Sequence, residues 1–222
     1  MKYKWLSYPL DPDAPRPPAI PAPRLTEFMS IKNDGANVLH LECYNHTGTH
    51  LDTARHVFEE GVSLEDFCES DLMFNCIAVV ELRLPDDTVI TANHLAPFAQ
   101  RMKDAEMLIV RLGVENIRKE QPERFSKHSP GFGHDAADFI LKNAPNLRCI
   151  GTDVPSIACI NSLDKTMTVH HFFFEHASIK KFIIIEEMKL DTSLAGIEKI
   201  IVSPWMVKRM DSGPCVIWAV YK

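Results

Sequence analysis

From residue 37 onward, Leu39, Leu41 and Cys43 alternate with His40, Glu42 and Tyr44, the period of two that predicts a strand with one buried face. Further apolar or β-branched runs at residues 76–84, 107–112, 149–152, 182–186 and 215–221 predict more strands. All fall well short of the roughly 20 apolar residues that a membrane-spanning helix requires. Helical spacing is clearest over residues 134–142, which Ser129, Pro130 and Gly131 precede and Pro145 follows. Weaker helical pattern lies at residues 91–102 and around Glu69. Strands outnumber helices and the two are mixed along the chain, which predicts an α/β fold without internal repeats.

The N-terminus breaks this pattern. Seven of the 15 prolines, Pro9, Pro12, Pro15, Pro17, Pro18, Pro21 and Pro23, precede residue 24. Each removes a backbone donor and restricts the residue before it, which excludes a helix or a central strand. Trp5, Leu6, Tyr8, Leu10 and Ile20 supply apolar anchors that a purely solvated tail would lack. Residues 1–24 are therefore expected to form a proline-rich strap, and residues 25–222 the domain itself. With anchors but few donors, the strap is expected to cross onto another subunit of a homo-oligomer.

Composition narrows the function classes. The 222 residues are 45% hydrophobic and 24% charged, as in ordinary globular proteins. Thirty acidic against 24 basic side chains give a net charge of −6, and no basic patch is visible, so neither nucleic acid nor an anionic membrane is expected as a partner. Six cysteines are scattered without a C-x-x-C pair, and MKYKWLSYPLDPD reaches proline and aspartate before an apolar stretch can form. The expectation is a cytoplasmic protein with reduced thiols.

The densest chemistry lies between His46 and His56, where three of the 10 histidines and Asp52 fall within eleven positions. Imidazole and carboxylate together suit zinc, manganese or iron, and Gly48 permits a sharp turn that lets neighbouring side chains converge. On a helix His46 and His50 would share a face while Asp52 pointed away; on a strand the even-numbered residues would share one. The glycine and the threonines disfavour helix, so the motif is placed at the end of a strand and in the loop beyond. A second cluster holds His170, His171, Glu175 and His176, followed by an apolar run that ends at Glu186 and Glu187. A carboxylate closing such a run needs a partner such as a metal. His94, His128, His134 and His176 are read as ordinary surface or boundary residues.

The segment His46-Thr47-Gly48-Thr49-His50-Leu51-Asp52-Thr53-Ala54-Arg55-His56 closely resembles the H-x-G-T-H-x-D-x-P-x-H signature of the cyclase family, which includes bacterial kynurenine formamidases and isatin hydrolases. Leu6-Ser7-Tyr8-Pro9-Leu10 is similar to the family's opening strand, Ser129 to Ala136 to its PG-containing turn into a helix, and Ile150 to Ile157 to its GTD-x-PS segment. The resemblance implies a swivelling β/β/α fold, a single domain with mixed sheets. It also implies a divalent metal, zinc or manganese, as one or two ions per subunit, and a dimer or tetramer. Carried over, His46, His50 and Asp52 become ligands, with Asp52 bridging if two ions bind, and His56 becomes the acid/base group. The later ligands map to His170 and Glu186, with His171 and Glu187 as adjacent alternatives. Ala54 replaces the signature's proline.

These features point to a small-molecule substrate and to hydrolysis of an amide by metal-activated water, with an aryl formamide such as N-formylkynurenine first. A cyclic amide such as isatin, or a metal- or small-molecule-binding module without turnover, are the alternatives. Trp5, Phe58, Phe132 and Phe172 are the candidates for holding an aryl ring. The chain has no G-x-S-x-G, which argues against a serine hydrolase.

Overall fold

The apolar runs become the strands of one curled, mixed sheet. The computed structural model describes residues 2–161 and 166–222. Its strands are β1 (Lys2–Trp5), β2 (Arg24–Met29), β3 (Val38–Glu42), β4 (His50–Asp52), β5 (Met73–Phe74), β6 (Ile77–Glu81), β7 (Val89–Ile90), β8 (Met107–Arg111), β9 (Gly131–Phe132), β10 (Cys149–Thr152), β11 (Ile183–Glu186), β12 (Ile197–Pro204) and β13 (Ser212–Tyr221). The helices are α1 (Ile31–Asp34), α2 (Ala92–Leu95), α3 (Ala99–Met102), α4 (Glu115–Glu120), α5 (Pro122–His128), α6 (His134–Asn143) and α7 (Thr166–His176). No helix among the described residues is long and apolar enough to cross a membrane.

The main sheet runs β5-β12-β13-β4-β11-β10-β8-β6, with β1 on β13. Strands β6, β8, β10 and β11 are parallel, whereas β4 is antiparallel to both β11 and β13, and β12 is antiparallel to β13. The three-residue β4 thus sits where the parallel half of the sheet meets the antiparallel half. Two cores follow from the alternation of side chains across strands. Leu108, Val110, Ile150 and Ile184 face Ile140, Phe125 and Phe173 of the helical layer. Leu51, Ile109, Ile183, Ile185, Ile200 and Ile217 face one another inside the curl of the sheet, with Leu6 and Phe74. Burial on both faces explains why β8 and β11 read as continuous apolar runs and not as alternating ones.

The pattern and the structure part company at four places. The stretch from residue 37 does form β3, but β3 pairs with β2 in a separate two-stranded sheet, and among the described residues no layer covers either face. Leu39 is 61% exposed as a result. Strand β12 was not expected, because Glu198 and Lys199 interrupt its apolar positions at a bulge. The segment at residues 91–102 divides into two short helices around Pro97, whose ring cannot continue the first. Residues 2–7 join the chain's own sheet. They precede the first proline and keep their donors, so β1 pairs along Trp218–Tyr221 and the Leu6 N–H reaches the Ile217 carbonyl at 2.9 Å. Leu6 is completely buried.

That burial makes the N-terminus part of the core. Leu6→Ala should destabilise the protein by roughly 2–5 kcal/mol, the usual cost of emptying a buried leucine site. Urea unfolding followed by circular dichroism measures it; a change below about 0.5 kcal/mol, the range of surface substitutions, would place the segment outside the cooperative unit.

Candidate metal centre

The site is assembled on β4. Gly48 takes a left-handed φ of 64°, which folds the chain between His46 and His50 and brings both rings to one side. Along β4, His50 and Asp52 then share one sheet face while Leu51 enters the inner core on the other. Two threonines fix the segment to its surroundings. Thr49 Oγ1 donates to the Glu187 carbonyl at 2.6 Å and accepts from the Tyr8 N–H at 2.9 Å. Thr53 Oγ1 donates to the Asp211 carbonyl at 2.6 Å. Beyond Thr53 a short turn, Ala54–His56, returns His56 beside His46, with ring centroids 4.3 Å apart.

Two distant elements complete the cluster. Glu186 pairs directly with His50 across β11 and β4, and its carboxylate approaches His50 Nε2 at 3.3 Å. Helix α7 brings His170 Nε2 to 3.1 Å from Glu186 Oε1 and 3.8 Å from Asp52 Oδ2. Among its described side chains Val169, His170, Phe173 and Phe174 are buried, as is Ala177 just beyond its end. This helical period was present in the sequence beneath the histidine cluster and is the signal that marks the segment as a helix. Asp52 Oδ1 lies 3.1 Å from His46 Nδ1 and 3.6 Å from His50 Nε2. The structure therefore brings His46, His50, Asp52, His170, Glu186 and His56 into one place.

The donor set fits a divalent cation. Both Asp52 oxygens and His50 Nε2 are fully buried and lack a hydrogen-bond partner among the described residues, an arrangement that is costly for a carboxylate unless a cation lies among them. Two triads, His50–Asp52–Glu186 and His46–Asp52–His56, each offer ligand atoms within 4.8 Å of one another, and they share Asp52. Nitrogen and carboxylate donors of this kind suit zinc or manganese. His50 Nδ1 donates to the Gly48 carbonyl at 2.8 Å, which leaves the Nε2 lone pair on the Asp52 side.

The neighbouring candidates go elsewhere. His171 meets Phe58 edge-on with centroids 4.9 Å apart. Glu187, at a φ of 53°, turns away to a buried ion pair with Arg118, which donates to Oε1 through Nε at 3.0 Å and through Nη2 at 2.6 Å. Arg118 in turn lies over the Tyr8 ring at 3.7 Å. Among the aromatic candidates, Phe132 is a core residue, Trp5 packs on Trp218, and Phe172 stacks between His134 and His176. Phe58 alone of the four stands next to the turn that carries His56.

Sequence reasoning missed Asp211. It lies at the start of β13's approach to β4 and accepts from His56 Nδ1 at 3.2 Å and from Asn45 Nδ2 at 2.9 Å. Ser212, beside it, contacts His46 Nε2 at 3.0 Å. No local motif announces either residue, because only the pairing of Ser212 with Asp52 brings them in.

The electrostatics couple metal to protons. Burial opposes charging His46, yet contacts with Asp211 and Asp52 outweigh it and push its pKa up to about 10. His50 is likewise raised, against burial, by Asp52 and Glu186. Burial would raise the Asp211 carboxyl, but hydrogen bonds from His46 and His56 hold it far below the usual carboxylate range.

Residues 5–158 match the Cyclase family, a span that includes the whole His46–His56 segment and ends before His170, Glu186 and Asp211. A kynurenine formamidase of Bacillus thuringiensis (strain Al Hakam) is 25% identical over 220 residues, covering 95% of this chain and 94% of the relative. Among solved structures, isatin hydrolase A from Labrenzia aggregata, bound to benzyl benzoate, superposes with a TM-score of 0.80 at 18% identity over 100% of this chain and 94% of that one. Isatin hydrolase A from Ralstonia solanacearum gives 0.80 at 16% identity, over 100% and 92%. At these identities the structural likeness speaks for the fold.

Two outcomes follow from the geometry. His50→Ala or Asp52→Ala should lower bound metal after dialysis, and His170→Ala should lower it more than His171→Ala; full stoichiometry in the first pair would overturn the ligand assignment. Because His46 holds its proton to about pH 10, a cation competes with that proton, so uptake near neutrality should release protons and affinity should rise with pH. Titration calorimetry in buffers of different ionisation enthalpy counts the protons, and a count of zero would contradict the coupling.

Proposed function

The chain belongs to the cyclase family, and on that premise we propose that it is a metal-dependent amidohydrolase acting on an aryl formamide such as N-formylkynurenine. The observation that carries the reading is Asp52, whose two buried oxygens lack hydrogen-bond partners among His46, His50, His170 and Glu186, with His56 beside them. The substrate class is supported by the full-length likeness to a protein named kynurenine formamidase.

A divalent cation held by His46, His50, Asp52, His170 and Glu186, when bound, lowers the pKa of water and polarises a carbonyl. The rest of the chemistry belongs to the chain. His50, Asp52, His170 and Glu186 are buried and form the floor, while the side chains of His46, His56 and Asp211 retain 19%, 18% and 29% of their exposure and mark the side from which substrate arrives. His56 takes the proton of the attacking water and returns it to the anilino nitrogen as the C–N bond breaks, so formate and the free arylamine leave. Imidazole suits both transfers because its ordinary pKa lies near neutrality. Phe58, next to the His56 turn and braced by His171, offers an aromatic edge to the aryl ring.

The test is a hydrolysis screen of zinc- or manganese-loaded protein across N-formylkynurenine, formanilides, isatin and hydantoins. Preferred turnover of the formamides is expected; preferred opening of isatin would make the substrate a cyclic amide, and turnover of none would leave a binding module. His56→Asn should retain metal and lower kcat by about 10²- to 10⁴-fold with a much smaller change in KM. Loss of metal in that variant would make His56 a ligand.

A further inference from the structure

Asp211 stands outside both histidine clusters, yet three elements converge on it. Its carbonyl accepts from the Thr53 N–H at 3.0 Å and from Thr53 Oγ1 at 2.6 Å, which ties its position to the residue following Asp52. Its carboxylate is shared out by oxygen. Asn45 Nδ2 donates to Oδ1 at 2.9 Å, while His56 Nδ1 and Ser212 Oγ donate to Oδ2, each at 3.2 Å, and His46 Nε2 stands 3.5 Å from the same oxygen.

An ionised carboxylate only accepts, and this one acceptor sets the direction of every hydrogen bond around it. His56 must carry its proton on Nδ1, so Nε2 is left with the lone pair. Ser212 spends its hydroxyl proton on Asp211, so its oxygen accepts, from Asn45 Nδ2 at 2.5 Å and from His46 Nε2 at 3.0 Å. Once a cation displaces the second proton, which lies on Nδ1 3.1 Å from Asp52 Oδ1, His46 keeps its proton on Nε2 and offers the Nδ1 lone pair to the ion. The two imidazoles are held as opposite tautomers by one carboxylate.

We infer that Asp211 is a positioning residue that sets the tautomer of His56 directly, and of His46 both by its own contact with Nε2 and through Ser212, so that with an ion bound each ring keeps a lone pair for the chemistry of the centre. The catalytic consequence rests on the proposed hydrolase activity, whereas the tautomers do not. Replacing the carboxylate by an amide shows why the charge type matters. Asn at this position offers one acceptor and one NH₂ group to donors that all require acceptors. If its oxygen serves Asn45, its NH₂ faces His56 Nδ1, and the His56 proton must move to Nε2, the nitrogen a base needs bare.

Long-range ¹H–¹⁵N spectra of the zinc-loaded full chain at alkaline pH read the tautomers directly, with the His56 signals identified by their loss in His56→Asn. The wild-type protein should show His56 protonated on Nδ1, and Asp211→Asn should move the proton to Nε2. Hydrolysis by Asp211→Asn should fall by about 10²-fold or more in kcat per bound ion, toward the full contribution of general acid–base assistance, with KM within about threefold and metal content unchanged. A wild-type His56 already protonated on Nε2, or a tautomer unchanged in the variant, would overturn the inference. So would a variant that loses zinc while kcat per bound ion stays the same, because Asp211 would then merely support His46. Should the wild-type chain hydrolyse none of the amides, the functional reading fails and the wild-type spectrum alone, which needs no variant to fold, decides the role of Asp211.

Discussion

The burial of one carboxylate governs this structure. Asp52 retains about one hundredth of its exposure, and neither of its oxygens accepts a hydrogen bond. An ionised group taken from water without compensation costs several kcal/mol, more than an ordinary side-chain contact can offset. Nitrogens of His46, His50 and His170 surround it at 3.1–3.8 Å, with a Glu186 oxygen within 4.8 Å, and a cation among them would turn a destabilising burial into a binding site. Short as it is, β4 can hold this group because both of its edges are taken, by β11 and by β13.

The parity of the strands separates chemistry from packing. On β4 and β11 the even-numbered residues His50, Asp52 and Glu186 point to one face, and the odd-numbered Leu51, Ile183 and Ile185 to the inner core. A slip of one residue in either strand would exchange the two sets, placing carboxylates in the apolar curl. The threonine latches at Thr49 and Thr53 resist that slip, since each anchors one end of β4 to a backbone carbonyl of a different segment.

Around the candidate ligands lies a ring of acceptors: the Gly48 carbonyl behind His50, Ser212 behind His46 and Asp211 behind His56. With an ion bound, each would hold a ring proton on the outer nitrogen and leave the inner lone pair to the centre. The ion pair of Glu187 with Arg118 is a separate, buried support beneath the same strand, closed over by Tyr8. It explains why two adjacent glutamates, equal on paper, have different surroundings.

Much of this was legible in the chain. The strands over residues 76–84, 107–112, 149–152, 182–186 and 215–221 could be read because continuous burial leaves continuous apolar runs, and the His46–His56 segment because ligand types are dense and a glycine marks the turn. The exposed β3 misled because alternation reports amphipathicity and not the presence of a partner layer. Strand β12 and helix α7 were obscured by charged and histidine residues lying over the apolar period. Between His170 and His171, or Glu186 and Glu187, the residue types alone offered no choice, and only the family resemblance pointed to His170 and Glu186. Such a choice depends on the phase of a helix and on cross-strand register, which are set by packing against segments far away in the chain. Asp211 was beyond local reading altogether: what makes it a neighbour of His56 is the pairing of Ser212 with Asp52, a contact between residues 160 positions apart that exists only once the sheet has closed.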